Sequence, residues 1–274
     1  MLSEADAKRH QRMKISIITS TYNSADTLRD TFESVLIQTH GDVEFIIVDG
    51  GSTDGTLDIL KEYEDRLGNH LRWVSEKDEG LYDAMNKGLR MATGEVAGIL
   101  NSDDLFFDET CLARIAEAFE DPNVDCVFGD LQFVRHNNIN HVVRLWKGEP
   151  YTPGAFLKGW HPAHPTFYTR TKFYREFGDF DLNIYISADF ELMLRFIEIH
   201  RLRSKYINHY LVKMRMGGVS TRSLRNIIRG NQNVLRSFKK HGLKVSPFYV
   251  PKRWTKKMWD VVKSKIVIRL KCKY

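Results

Sequence analysis

The chain is short of acid where it is richest in base. Residues 199–274 hold one acidic residue, Asp260, against 21 Lys and Arg, while residues 1–198 carry 34 acids against 20 bases. The net charge of +6 therefore hides two parts of opposite sign, and such parts meet different partners. Cysteine is scarce too. Cys111, Cys126 and Cys272 show no metal-ligand spacing, and their odd number argues against a disulfide framework, so a reducing, cytoplasmic setting is expected. No apolar run reaches 18 residues, which excludes a bilayer-spanning helix. The polar, mixed-charge first 13 residues lack the apolar stretch of a secretory signal, and Met13 is a candidate start. There is no internal repeat and no low-complexity tract. With 42% hydrophobic and 28% charged residues, 274 residues suffice for one large domain with an appendage, or for two small ones.

What is there is an alternation. Lys14 to Thr19 is a β-branched run, and Ser24 precedes a helical pattern through Leu28, Phe32, Val35 and Leu36. A second strand, Val43 to Val48, leads through a Gly-rich turn into a helix bearing Leu57, Ile59, Leu60 and Tyr63. A third, Leu71 to Val74, leads through Glu76 to Gly80 into a helix from about Leu81 to Met91. The fourth is Val96-Ala97-Gly98-Ile99-Leu100, which ends in Asn101-Ser102-Asp103-Asp104. Strands alternating with helices over about a hundred residues predict an α/β fold with a parallel sheet and right-handed crossovers.

Beyond Asp104 the spacing predicts a helix from about Glu109 to Phe119, a strand-like segment from Val124 to Phe133, and a sheet that becomes mixed. Pro150, Pro153, Gly154, Gly159 and Pro162 break up a long loop region, closed by His161-Pro162-Ala163-His164-Pro165. Ser187 is a candidate cap for a helix with Phe190, Met193, Leu194 and Ile197 on its buried side and Asp189 in its first turn.

The carboxylates at the fourth strand's end carry the chemistry. Ligands of parallel sheets bind at the carboxyl ends of strands. Adjacent carboxylates there repel one another, which makes sense if Mg²⁺ or Mn²⁺ sits between them and a substrate phosphate. By itself, Asp-Asp after a strand also reads as a polar turn capping the next helix, so the surroundings decide.

Those surroundings resemble the family 2 glycosyltransferases, whose catalytic domain has the GT-A fold. The resemblance covers roughly Lys14 to Ser220. It rests on Thr19-Ser20-Thr21-Tyr22-Asn23, on Val48-Asp49-Gly50-Gly51-Ser52-Thr53-Asp54-Gly55-Thr56, on Asp78-Glu79-Gly80-Leu81-Tyr82-Asp83-Ala84-Met85-Asn86-Lys87-Gly88 and on Asn101-Ser102-Asp103-Asp104, four segments in order at strand ends. It implies that Thr21, Tyr22, Asp49, Asp78 and Asp83 surround the nucleotide of an activated sugar, that Asp103 contacts ribose, and that Asp104 binds the divalent metal. It also implies a general base in an acidic element opening a helix after the loop region. Here that element is Ser187-Ala188-Asp189-Phe190-Glu191, where Ala188 replaces the usual first acid and Asp189 is the match. Gly50 likewise stands where many relatives have a second acid that reads the nucleobase.

The implied reaction is inverting transfer of a sugar from a nucleotide-sugar to a glycan or lipid-linked acceptor, by a domain over residues 13–220. The rival within enzymes, a sugar nucleotidyltransferase, typically carries a Gly-rich signature with Arg and Lys after the first strand, which Thr19 to Asn23 lacks. His164 reads as an acceptor or phosphate contact, or as a hydrogen-bonded structural histidine. In the basic extension, residues 221–274, Trp254, Met258, Val262, Ile266 and Leu270 recur every four residues among lysines. This predicts an amphipathic helix on an anionic membrane surface, the alternatives being packing on the catalytic domain or nucleic-acid binding. Nucleic acid is not expected, because acids outnumber bases over the rest of the chain.

Overall fold

The computed structural model describes residues 13–217 and 223–271, with side chains placed as far as residue 268. Gly218, Ser220, Cys272 and the side chain of Leu270 lie outside the described residues. Four parallel strands, β1 (Ile15–Thr21), β2 (Val43–Asp49), β3 (Leu71–Ser75) and β4 (Val96–Ile99), lie in the order β3-β2-β1-β4. The crossovers are α1 (Leu28–Leu36), α2 (Thr56–Leu67) and α3 (Leu81–Met91). Register explains why four separated motifs meet: Thr21 pairs with Asp49, Asp49 with Ser75, and Ile18 with Ile99. The loops after all four strands therefore leave from one edge of the sheet.

After β4 the sheet becomes mixed, as expected. The elements are β5 (Leu105–Phe106), α4 (Cys111–Phe119), β6 (Cys126–Arg135), β7 (Asn138–Trp146), β8 (Tyr168–Arg170), α5 (Lys172–Phe177), α6 (Ala188–Met193) and β9 (Ser204–Arg215). β8 runs antiparallel between β4 and β6, while β9 lies parallel to β6 and carries β5 on its outer side. Gly98 lacks a Cβ for a steric reason, since the ring of Tyr168 in β8 occupies the space a Cβ would need. β7 is a strand that sequence patterning did not separate from the polar turn before it; it forms a hairpin with β6.

Alternation along the strands builds two cores. Ile15, Ile17, Phe45 and Ile47 face Leu28, Phe32 and Tyr63 on one side, and Ile18, Ile46, Ala97 and Ile99 face Met85, Phe190 and Leu192 on the other. The second core also takes in Val234 and Phe238 of α7 (Leu224–Lys240) and Tyr249 at the start of α8 (Tyr249–Lys271). The start of the basic extension is thus packed onto the core that carries α6.

Ser187 does not cap α6 through its side chain. It sits at φ +72°, and its carbonyl, not its hydroxyl, receives the Glu191 amide at 3.2 Å. The α-helical turn is also shorter than the periodicity suggested, and Leu194–Ile199 continue it as a π-helix.

Candidate active site

The acid turn is held from below by α1. Thr27 and Thr31 donate to the Ser102 carbonyl at 2.9 and 3.1 Å, and Thr31 also donates to the Asp104 carbonyl at 2.8 Å. Asp104 is wholly buried; one oxygen accepts from the Asn101 amide at 3.0 Å and the other, Oδ1, has no hydrogen-bond partner. Burial, then repulsion from Asp103, push the Asp104 carboxyl well above its ordinary value, and burial pushes Asp103 up as well. An unsatisfied buried carboxylate oxygen costs free energy. Hard oxygen donors of this kind, two acids on one turn, suit a divalent cation that would remove both penalties.

Arg215, at the end of β9, is a residue the sequence reading did not single out. Its buried guanidinium donates to the Asp103 carbonyl at 2.8 Å and the His136 carbonyl at 3.0 Å, and it pairs with Asp30. It fixes the turn from behind while placing a positive charge beside both acids. Its strand already carries Lys205, Asn208, His209 and Lys213, so nothing in the sequence set Arg215 apart.

The loops after β1 and β2 are tied to each other. Asn23, at φ +49°, receives no help from glycine, but its amide donates to Ser52 Oγ at 2.8 Å and its side-chain oxygen accepts from Thr53 at 2.9 Å. Asp49 is buried and turned into its own loop: Oδ2 accepts from the Gly51 and Ser52 amides at 3.0 and 2.9 Å and from Ser75 Oγ at 2.6 Å, and Oδ1 accepts from Ser52 Oγ. Asp83 performs a similar task, accepting from the Glu79 amide at 3.1 Å and pairing with Lys87 at 3.3 Å. Asp78 accepts from the Gly80 amide through Oδ1 at 2.8 Å and turns its other oxygen toward Gly50. A Cβ on Gly50 would lie 2.5 Å from Asp78 Oδ2 and 3.4 Å from the Tyr22 ring. Gly50, Asp78 and the largely exposed Tyr22 thus form one small platform. Thr21 Oγ1 is buried and unpartnered at the end of β1.

Asp189 opens α6 on the opposite wall. Its Oδ1 accepts from the Tyr82 hydroxyl at 3.1 Å, and Oδ2 lies 3.3 Å from His164 Nδ1. Burial and the neighbouring Asp189 charge keep the Tyr82 hydroxyl protonated, well above its ordinary pKa. His164 also lies close enough to Asp103 to act on its carboxyl electrostatically, so it stands between the two acidic walls. Met85, Ile99, Phe167 and Leu192 line the apolar floor beneath Asp189 and His164. His161 is structural: burial and Arg253 push it down to about 3, and it packs edge-on against Phe190 and Trp146.

A second group of possible ligands, Asp108, Cys111 and His209, is also present. Asp108 is occupied as the start of α4, accepting from the Thr110 amide at 2.9 Å and its hydroxyl at 2.7 Å, and bonding His209 Nε2 at 2.8 Å. Burial raises the Cys111 thiol to about 12, which opposes thiolate ligation.

The Glycosyl transferase family 2 model matches residues 16–197, more than half of the chain, including the acid turn, the loops after β1 to β3 and Asp189. The chain belongs to glycosyltransferase family 2. This glycosyltransferase is 33% identical over 194 residues to a PGL/p-HBAD biosynthesis glycosyltransferase of Mycobacterium tuberculosis, covering 70% of this chain and 73% of that one. Among solved structures it resembles the mannosyltransferase PcManGT of Pyrobaculum calidifontis in complex with GDP-Man and Mn²⁺. The TM-score is 0.64 at 21% identity, over 90% of this chain and 70% of that one. It also resembles S. aureus TarS 1-349 in complex with UDP-GlcNAc, with a TM-score of 0.62 at 17% identity, over 88% and 78%. These likenesses give the glycosyltransferase its GT-A fold.

One residue of the glycosyltransferase that sequence reasoning passed over is Glu191, two residues beyond Asp189. It is fully buried and bonded to Arg195, Lys240 and His241 at 3.1, 3.0 and 2.7 Å. It clamps α7 to the helix carrying Asp189. A charged residue on the inner face of a short apolar helix was its only sequence signal.

Proposed function

We propose that this glycosyltransferase moves a sugar, of hexosyl type, from a nucleoside-diphosphate donor to a hydroxyl of a glycan or lipid-linked acceptor in polysaccharide biosynthesis, inverting the anomeric centre. The observation that carries the reading is Asp104, buried with one oxygen unpartnered beside Asp103, together with Asp189, whose partner His164 also acts on the Asp103 carboxyl. Tyr22 and Asp78 hold the nucleobase, Thr21 and Asp103 the ribose side, while Asp49 and Asp83 act through the loops they shape. Asp104 would hold a divalent cation, Mn²⁺ or Mg²⁺, which would supply neutralisation of the charge that builds on the departing diphosphate. Asp189 takes the proton from the acceptor hydroxyl as its oxygen bonds to the anomeric carbon, and the bond to the diphosphate oxygen breaks on the opposite face. Tyr82 and His164 keep the Asp189 carboxylate aimed into the cleft.

The test is thermal unfolding with nucleoside diphosphates and nucleotide-sugars, with Mn²⁺ or with a chelator. A ligand at a hundred times its Kd stabilises the native state by about 2.7 kcal/mol. A metal-dependent rise with UDP or GDP is expected, and no rise with any of them would sink the reading.

The extension supports a peripheral place on the cytoplasmic membrane face. No helix among the described residues is long and apolar enough to cross a membrane. α8 presents Ser264 inward, where its hydroxyl accepts from the Leu145 amide at 2.6 Å, and Arg253 lies against Gly159. Trp254, Met258, Trp259, Val262, Ile266 and Val267 are left exposed beside Lys252, Lys256, Lys263 and Lys265. As far as it is described the stripe stays exposed, and the helix meets the catalytic domain through Arg253 and Ser264 instead, which supports the membrane reading. Basic residues at an anionic surface contribute about 1 kcal/mol each. Replacing those four lysines by glutamine should cut co-sedimentation with anionic liposomes several-fold; equal sedimentation of parent and variant would remove the membrane from the proposal.

A further inference from the structure

A second concavity lies between α7 and the segment that leads into α6. Asn183, Tyr185, Ile186, Arg229, Gln232 and Arg236 line it, and it encloses about 700 Å³, part of it open to solvent. Its floor is rigid. Gly230 brings α7 so close that a Cβ would lie 3.3 Å from Ile186 and from Ser187 Oγ, and Asn233 donates to the Ile186 carbonyl at 2.9 Å. Its position relative to the chemistry follows from the chain: Ile186 is three residues before Asp189, a span of about 10 Å at most.

Its rim is continuous with the donor loops. The Tyr185 ring, 64% exposed, stands over Gly80, 3.7 Å from where a Cβ would be. The next residues, Leu81 and Tyr82, wall the cleft that holds Asp189. A flat, exposed aromatic ring between two clefts is a surface on which a sugar ring can stack.

The electrostatics of the groove are one-sided. Arg229 has no hydrogen-bonding or ionic partner among the described residues, and the Arg236 guanidinium donates to the Asn233 side-chain oxygen at 3.3 Å. Asp181, the nearest acid along the segment, is already paired with Lys240 at 2.8 Å. α7 itself contains no acid. Seven residues apart, the two arginines lie two helical turns from one another on one face, about 10 Å along the axis, with Gln232 between them. Two guanidinium forks, that of Arg229 without a partner among the described residues and that of Arg236 with one N–H on Asn233, are flanked by amides in a preformed groove and match a phosphate or carboxylate.

We propose that this groove is an acceptor subsite that grips an anionic group, a phosphate or a carboxylate, carried by the acceptor next to the sugar or polyol hydroxyl that is glycosylated. This rests on the transfer reading above and narrows its acceptor to an anionic one. Arg229 and Arg236 hold the anion, Tyr185 supports the adjoining ring, and Asp189 faces the hydroxyl.

The test uses the full chain with inorganic pyrophosphate as the probe, in a chelating buffer so that the acid turn has no cation through which to bind it. Calorimetric titration of the parent should give saturable binding, and Arg229→Ala with Arg236→Ala should weaken it by at least tenfold, the range for losing charge-assisted hydrogen bonds. Both side chains are exposed, so the double variant should keep the parent's unfolding temperature and its Mn²⁺-dependent affinity for UDP. Arg225→Ala, on the same helix but outside the groove, should leave pyrophosphate binding intact. No binding by the parent, or equal binding by the double variant, overturns the subsite. So does a double variant that loses anionic-liposome sedimentation in parallel with pyrophosphate, because the arginines would then be reading lipid headgroups. Failure of the parent to bind any nucleoside diphosphate with metal counts against the transfer reading, a separate result from a different titration.

Discussion

Replacing Glu191 by glutamine tests whether the basic extension is an integral part of the catalytic scaffold. The carboxylate is fully buried, and hydrogen bonds from His241 and Arg195 outweigh the burial that opposes its charge, holding it down at about 2 against an ordinary 4.5. At about 1.4 kcal/mol per pKa unit, that shift corresponds to a stabilisation of about 3 kcal/mol. Because the folded-state pKa is the lower one, the contribution is present in full above pH 4.5 and is lost as pH falls toward 2. Glutamine removes the charge and leaves Arg195, Lys240 and His241 facing a neutral group, a change of the kind that costs about 3–5 kcal/mol when one member of a buried pair is deleted. For a domain of this size, 3 kcal/mol lowers the unfolding temperature by about 6–12 °C. Urea denaturation of parent and Glu191→Gln between pH 7 and pH 2.5 is the assay. The two midpoints should be well separated at pH 7 and converge as pH drops below 4.5. A gap that stays constant with pH, or no gap at neutral pH, would refute the assignment of Glu191 as a charged clamp.

Asp104→Asn should abolish metal-stimulated nucleoside-diphosphate binding and, since burial and Asp103 already disfavour the charge, raise the unfolding temperature in chelator; a less stable variant with intact metal response would contradict both statements. Asp189→Asn should retain donor affinity in titrations and lose transfer by roughly two to four orders of magnitude, whereas near-normal turnover would move the base to another residue. Gly50→Ala places a methyl 2.5 Å from Asp78 Oδ2 and should weaken nucleoside-diphosphate affinity about tenfold by displacing Asp78 and Tyr22; unchanged affinity by calorimetry would separate that platform from the nucleobase.

The β1 to β4 half of the fold was written in local pattern. β1, β2 and β4 are short, mostly apolar runs buried on both faces, β3 is a half-exposed edge strand, and each loop has its own Gly, Asn or Asp signals, so strand, turn and helix could be read without distant partners. The candidate acids followed for the same reason, because a parallel sheet exposes its ligands at strand ends and Asp49, Asp78, Asp103 and Asp104 all stand there. What sequence could not supply was orientation. Asp49 and Asp78 look alike along the chain, yet both oxygens of the first are used within its own loop and by Ser75, whereas the second gives only Oδ1 to the Gly80 amide and sets Oδ2 against Gly50. β7 escaped notice because its polar, half-exposed residues carry little apolar pattern and its pairing with β6 is decided by the hairpin. Arg215, Glu191 and the Arg229–Arg236 groove depend on contacts between residues tens to more than a hundred positions apart. Their roles come from tertiary packing, which buries one charge behind the acid turn, clamps another between two helices, and leaves two exposed arginines without an acidic partner among the described residues.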